Sequence, residues 1–233
     1  MKKLIFALAL TVAMMFPTHV KAQAREFVGA SGVAAFDNYS AGVTAGVEYP
    51  FLKHFELDLK DTFSPITEHV ALGTGRANST AAGGFIWFSK SLGIHGEATD
   101  SMYDVTKVSK DANYAFGGLA YRTILGGMPA RFTFEYSREF NNGISPNGVE
   151  SSHFQGGDVG FTNVFGCTKH MCVRTTEDIT FGRVLEQSNP RCDGTFGITG
   201  GNGPNGTCYR TGAMSGGAMA SIQFVFGKGR ASF

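Results

Sequence analysis

The sequence predicts an all-β chain closed into an antiparallel up-and-down transmembrane β-barrel of about ten strands, with eight as the alternative count. Three observations carry this. Short runs alternate apolar and polar residues with a period of two, which puts one kind on each face of a strand. Long and short connections take turns between those runs, as they do when long loops gather at one end of a barrel and short turns at the other. Acids and bases also occupy successive positions on the polar face. A dry core would not hold them, whereas a water-lined lumen would.

The amino terminus supplies an address. Lys2 and Lys3 precede an apolar run from Leu4 to Phe16, followed by Pro17 and the small-residue pattern Val20-Lys21-Ala22. This is the layout of a secretory signal, with an apolar core too short to span a membrane, so residues 1–22 are read as a cleaved leader. Ala22-Gln23-Ala24 offers a second cut. Residues 23–227 are then the barrel and residues 228–233 a short tail, and the expected location is the cell outer membrane. No other segment has the ~20 consecutive apolar residues of a spanning helix. A net charge of +1 gives no electrostatic reason to expect a nucleic-acid partner. The 32 glycines and 21 phenylalanines fit many turns and an aromatic-rich wall better than helices.

Taken in order, Phe27–Phe36 is a Gly- and Ala-rich strand whose two faces do not separate. In Ala41–Tyr49, Val43, Ala45, Val47 and Tyr49 alternate with Thr44, Gly46 and Glu48, and Pro50 ends the run. In His54–Phe63, Phe55, Leu57 and Leu59 alternate with Glu56, Asp58 and Lys60, the strongest argument for a polar lumen. Residues 64–79 read as a long connection. Thr80–Ser89 has two apolar faces, with Ile86 and Phe88 on one and Phe85 and Trp87 on the other. After a tight turn, Gly93–Thr99 sets Ile94, Gly96 and Ala98 against His95, Glu97 and Thr99. Residues 100–113 read as a second long connection.

Tyr114–Ile124 follows, then a short turn through Gly126, Gly127 and Pro129. Arg131–Glu139 alternates Phe132, Phe134 and Tyr136 with Thr133, Glu135 and Ser137. Residues 140–157 form a long link, Asp158–Gly166 a strand, and 167–171 a short link. Cys172–Arg183 carries Arg174, Thr176, Asp178 and Thr180 on one side and Ile179 and Phe181 on the other. Glu177 falls on the apolar side, which calls for a bulge or a rim position. Residues 184–212 are the longest connection. In the closing strand, Ala218–Phe226, the apolar side is Ala218, Ala220, Ile222, Phe224 and Phe226. Continuing that register would aim Lys228 and Arg230 at lipid, so the strand should stop near Gly227.

The dyads of Ala41–Tyr49, His54–Leu59, Arg131–Ser137 and Ala218–Phe226, together with the leader, resemble a small Gram-negative outer-membrane β-barrel of the OmpA or OmpX type. This is a porin-like architecture, with the strand number closer to the omptin and Opc adhesin barrels. The likeness is architectural and no motif fixes a subfamily. Such chains usually end on the phenylalanine of the last strand; here Gly227–Ser232 intervenes before Phe233.

The polar set assigned to the lumen is Glu48, Glu56, Asp58, Lys60, His95, Glu97, Glu135, Asp158, Arg174 and Asp178. Acids outnumber bases in it, so any ions or small solutes that pass should be cation-weighted. The four cysteines of an exported chain are expected as disulfides. Cys167 and Cys172 bracket a short link and Cys192 and Cys208 share a long one at the opposite end, so the pairings are Cys167–Cys172 and Cys192–Cys208. The rival is a metal site from Cys167, His170 and Cys172. No cofactor is expected: the glycine-rich Gly201–Gly206 neither follows a strand nor opens a helix, as a dinucleotide fingerprint must. Tyr49, Phe51, Phe55, Trp87, Phe88, Tyr136 and Phe226 are candidates for aromatic girdles at the membrane interfaces.

The leading function is a non-enzymatic outer-membrane barrel, structural or a narrow pore, in contact with outer-membrane lipid. A second reading is an adhesion or ligand-binding protein that meets an extracellular ligand through loops 140–157 and 184–212. A third is a rim hydrolase using His95, Glu97 or His153. The resemblance allows it, since omptin proteases use Asp and His at the outer rim and lipid A deacylases a His-Ser pair.

Overall fold

The computed structural model describes residues 24–35, 38–51, 54–69, 73–105, 108–142, 154–184, 201–203, 206–208 and 214–227. The leader, the tail after Gly227, His153 and Cys192 lie outside them. The described residues contain twelve strands and no helix: β1 Arg25–Ala35, β2 Asn38–Phe51, β3 Phe55–His69, β4 Gly73–Trp87, β5 Leu92–Val105, β6 Val108–Leu125, β7 Met128–Asn142, β8 Phe154–Phe165, β9 Met171–Val184, β10 Gly201–Gly203, β11 Gly206–Cys208 and β12 Met214–Phe226. Ten of these close a barrel in the order β1-β12-β9-β8-β7-β6-β5-β4-β3-β2, while β10 and β11 pair as a separate hairpin. Every ladder of the barrel is antiparallel: eight join strands consecutive in the chain, β9 pairs with β12 past the β10–β11 hairpin, and β1 closes the circle on β12 with Val28 opposite Phe224. Closure leaves no unpaired edge among these ten strands, which is what a wall in a medium without hydrogen-bonding partners requires.

The faces follow the dyads. Val43 and Val47 of β2, Leu59 and Phe63 of β3, Leu119 of β6, Phe134 of β7, Ile179 and Phe181 of β9 and Ile222 and Phe224 of β12 are all exposed on the outside. Thr44, Glu48, Glu56, Asp158, Arg174 and Gln223 are buried on the inside. A large apolar side chain left in water forgoes about 1.5–3 kcal/mol. The outer wall is built from many of them, while the charges are gathered inside. The barrel is inverted relative to a water-soluble one, which would bury these residues and expose the charges.

Several boundaries differ from those the sequence suggests. The stretches 64–79 and 100–113 are mostly strand: β3 runs on to His69 and β4 begins at Gly73, and only residues 106–107 separate β5 from β6. Two features conceal this. The β3–β4 register shifts between Ser64 and Thr67, a bulge around Pro65 and Ile66 that flips the parity, so Ser64 and Thr67 both point inward. The outward side chains also turn polar on both sides of it, with Asp61 on β3 and Thr74, Arg76, Asn78 and Thr80 along β4. Arg76 Nη2 donates to Asp104 Oδ2 at 3.0 Å on the neighbouring strand. The apolar band ends while the ladder continues. The links 143–153 and 185–213 remain long.

At the opposite end the links are tight. Leu125 and Met128 are joined by Gly126 and Gly127, both with positive φ (58° and 82°), the geometry that matches the twist of a two-residue hairpin. The β8–β9 link is pinned by Thr168 N–H donating to the Met171 carbonyl at 2.8 Å and by the Cys167–Cys172 disulfide. That bond takes both sulfurs out of contention as metal ligands, so the Cys167, His170, Cys172 site falls. The bridge expected between Cys192 and Cys208 falls outside the described residues through Cys192. In β9 the register is unbroken: Glu177 faces outward, opposite Ala220 and Phe161, with neither a bulge nor a rim position to excuse it.

Candidate functional site in the barrel interior

The interior charges form two layers. The lower one lies near the short-link end and is built from strand starts and ends. Arg174 on β9 donates through Nη1 to Glu48 Oε1 on β2, and through Nε to Gln223 Oε1 on β12 at 2.8 Å. Arg131 on β7 donates to Glu56 Oε1 on β3 at 3.1 Å. Arg25 on β1 stands between the two acids, 3.6 Å from Glu48 Oε2 and 3.5 Å from Glu56 Oε2. The strands β9 and β2 share no ladder, nor do β7 and β3, so these contacts cross the lumen itself.

Aromatic rings line the same layer. The Arg131 guanidinium lies 4.0 Å from the Phe85 ring centroid, that of Arg174 4.6 Å from Phe27 and that of Arg122 4.2 Å from Trp87. Guanidinium groups favour such planes because they are weakly hydrated and flat. Phe85 and Trp87 stack at 5.5 Å. Trp87 is only 3% exposed and therefore belongs to the lumen, not to an outer girdle; its parity with Phe85 placed both rings inward. Phe88 and Tyr136 are exposed on the outer surface.

The second layer sits about one turn of the pleat further from the short links. Lys60 on β3 reaches Glu97 Oε2 on β5 at 2.8 Å, and Thr99 donates to Glu97 Oε1 at 3.1 Å. His95 Nδ1 meets Glu135 Oε1 on β7 at 2.7 Å, skipping β6. The position between them in that row is Gly118, and a side chain there would stand in the way of the contact. Thr180 donates to Asp158 Oδ2 at 2.6 Å, and Asp178 projects from β9 opposite Gly160. Asp58, His95 and Glu97 converge so that one ligand atom of each lies within 4.8 Å of the others. Asp58 Oδ1 and His95 Nε2 are buried without a hydrogen-bond partner.

All ten residues assigned to the lumen from sequence project from the inward side of their strands, and the contacts above join eight of them. The sequence reading missed Arg25, Arg131 and the interior rings Phe27, Phe85 and Trp87, whereas the dyad of Ala218–Phe226 already turns Gln223 inward. Arg131 was detectable, since it extends the parity of Thr133 and Glu135 by one step. Arg25 and Phe27 were not, because glycine and alanine give β1 no contrast between its faces.

His95 bonds a carboxylate, and no hydroxyl or thiol among the described residues is hydrogen-bonded to its ring. His153 lies outside the described residues.

No protein-family model matches the chain, and no curated protein matches it. Among solved structures, a "Bacterial polysaccharide outer membrane secretin" aligns with 10% identity over 87% of this chain and 97% of that chain, at a TM-score of 0.24. A likeness at that level carries no argument about what the barrel does.

Proposed function

We propose that the chain is a non-enzymatic integral barrel of a bacterial outer membrane, structural in role, whose lumen is closed near the short-link end by the Arg25, Glu48, Glu56, Arg131 and Arg174 layer. One observation carries the reading. Large apolar side chains cover the outside while Arg174–Glu48 and Arg131–Glu56 span the inside from wall to wall. The first half requires a lipid solvent and the second obstructs a diffusion path. Closed antiparallel barrels are one of the two architectures that satisfy every backbone group in a membrane. Against catalysis stands the interior position of His95 and Glu97, engaged with Glu135 and Lys60 and away from a rim.

Fractionation with heat-modifiable gel mobility tests the location: a soluble periplasmic protein would overturn the reading. Planar-bilayer recording tests the closure. The native protein is expected to pass no steady current, whereas Arg131→Ala combined with Arg174→Ala should admit a small cation-weighted one, because the carboxylates of both layers remain. A steady ohmic current from the native protein would make it an open pore.

A further inference from the structure

We propose that Asp58, His95 and Glu97 form a binding site inside the barrel for a first-row divalent metal ion of the zinc type, with Glu135 as the positioning residue that orients the imidazole.

The site is built before any ion arrives. Asp58, Gly83 and Glu97 share one row across β3, β4 and β5, and His95 is the next inward residue below Glu97. Gly83 opens the middle of the row. A methyl group there would lie 3.3 Å from Asp58 Oδ1 and 3.1 Å from Glu97 Cβ, filling the ground between the two carboxylates. The three ligand atoms already lie within 4.8 Å of one another, so they need to close only modestly to reach metal-bond lengths of about 2.0–2.2 Å.

A cluster of acids alone would not indicate a metal. The imidazole does. The His95 side chain is only 8% exposed, and its Nε2 has no partner in the protein. The other ring nitrogen meets Glu135 Oε1 at 2.7 Å. With Glu135 as the accepting partner, the tautomer assigned to His95 carries its proton on Nδ1 and leaves the lone pair on Nε2. This carboxylate–histidine arrangement is the one that fixes the tautomer of metal-bound imidazoles. Phe85, stacked 4.1 Å from the ring, holds its plane. Asp58 Oδ1, the second orphaned atom, is likewise buried with a free lone pair. Two buried acceptors without partners, both on residues of one cluster, are what a cation would satisfy.

The surrounding charge permits it. Lys60 is bonded to Glu97, and Asp58 and Glu135 stand beside that pair as further acids. The Lys60 side chain keeps 33% of its surface exposed, so this layer has open space beside it. One nitrogen and two carboxylate ligands suit zinc and its first-row neighbours, whereas calcium and magnesium prefer an all-oxygen set.

The test is titration of the chelator-stripped, full-length barrel in detergent with Zn2+ by calorimetry, and with Co2+ by visible absorption. One ion per chain is expected. His95→Gln and Asp58→Asn should each weaken binding at least tenfold while the folded gel mobility is unchanged. Glu135→Gln should weaken it about 10–100-fold and shift the pH profile of binding, which a purely structural loss would not. No binding by the native protein, or His95→Gln binding as tightly as native, would overturn the site. If the variants fail to fold, pulsed EPR of the Cu2+-loaded native protein decides. One coupled imidazole supports the site, and none or more than one overturns it. Failure here leaves the closed-barrel reading standing, since conductance tests that separately.

Discussion

Arg174 on β9 hydrogen-bonds Glu48 on β2 across the lumen, with β12 and β1 lying between their strands in the wall. Neither charge reaches bulk water: both side chains are 6% exposed. A buried pair of this kind adds little net stability over an apolar pair of the same volume, but loss of one partner strands the other. It also fixes which strands face each other, because no other guanidinium on β9 could make the contact from the same height.

That asymmetry gives the first prediction. Glu48→Ala or Arg174→Ala should each destabilise the barrel by about 3–5 kcal/mol, while Glu48→Leu with Arg174→Met together should cost far less. Urea unfolding in lipid vesicles measures all three. Equal losses for the singles and the double would mean that packing, not stranded charge, sets the cost.

Trp87 is the single tryptophan of the chain and stands inside the barrel beneath Arg122. Brominated lipids should therefore quench its fluorescence weakly in the native protein. Moving the reporter to the wall, as Phe134→Trp in a Trp87→Phe background, should give strong quenching, since Phe134 is exposed on the outer face. Strong quenching of the native protein would return Trp87 to an outer girdle.

How much of this was legible in the sequence depended on contrast. Phe55–Lys60 sets Phe and Leu against Glu, Asp and Lys at every step, and there the faces and the lumen residues could be read directly. Gly93–Thr99 and Arg131–Glu139 behave the same way, so His95 and Glu135 could both be placed inward. What no pattern shows is that they meet, because the contact depends on barrel closure and on Gly118 standing between them. The ends of β3 to β6 were lost for a different reason. Polarity on the outer face marks where the band of apolar side chains stops, and the backbone ladder goes on past that level. The bulge at Pro65 hid the remainder by reversing the parity.

The disulfides give a third prediction. Cys167 and Cys172 are five residues apart, so the bridge closes a small loop and its removal should cost about 2 kcal/mol by the chain-entropy relation. Reductant should lower the unfolding midpoint accordingly without dispersing the wall. Peptide mapping without reduction should yield Cys167–Cys172 and Cys192–Cys208 fragments. A crossed pair would show that the two links are not at opposite ends.

The outer wall offers the most direct check on the solvent. Leu119 of β6 lies six residues from the β6–β7 turn, in register with Ile94 on β5 and Phe134 on β7, both of them outward and apolar. Leu125, the last residue of the same strand, keeps the outward parity of Leu119 and is 43% exposed. If the wall meets lipid, Leu119→Arg carries a cation toward the middle of the hydrocarbon and should cost about 2–4 kcal/mol, whereas Leu125→Arg near the interface should cost about 0–1 kcal/mol. In a wall that met water, both would be close to neutral, since both side chains are exposed. Glu177 adds a native version of the same experiment. It faces outward six residues into β9, beside Phe161 and Ala220. Replacing it with leucine should stabilise the barrel in vesicles by about 1–2 kcal/mol, less than the cost of an inserted arginine because acids are penalised less there. Unfolding in vesicles with each variant reads the depth profile. A loss on Glu177→Leu would mean that this carboxylate has a partner on the outer face, and the site of that partner would then be the surface to map.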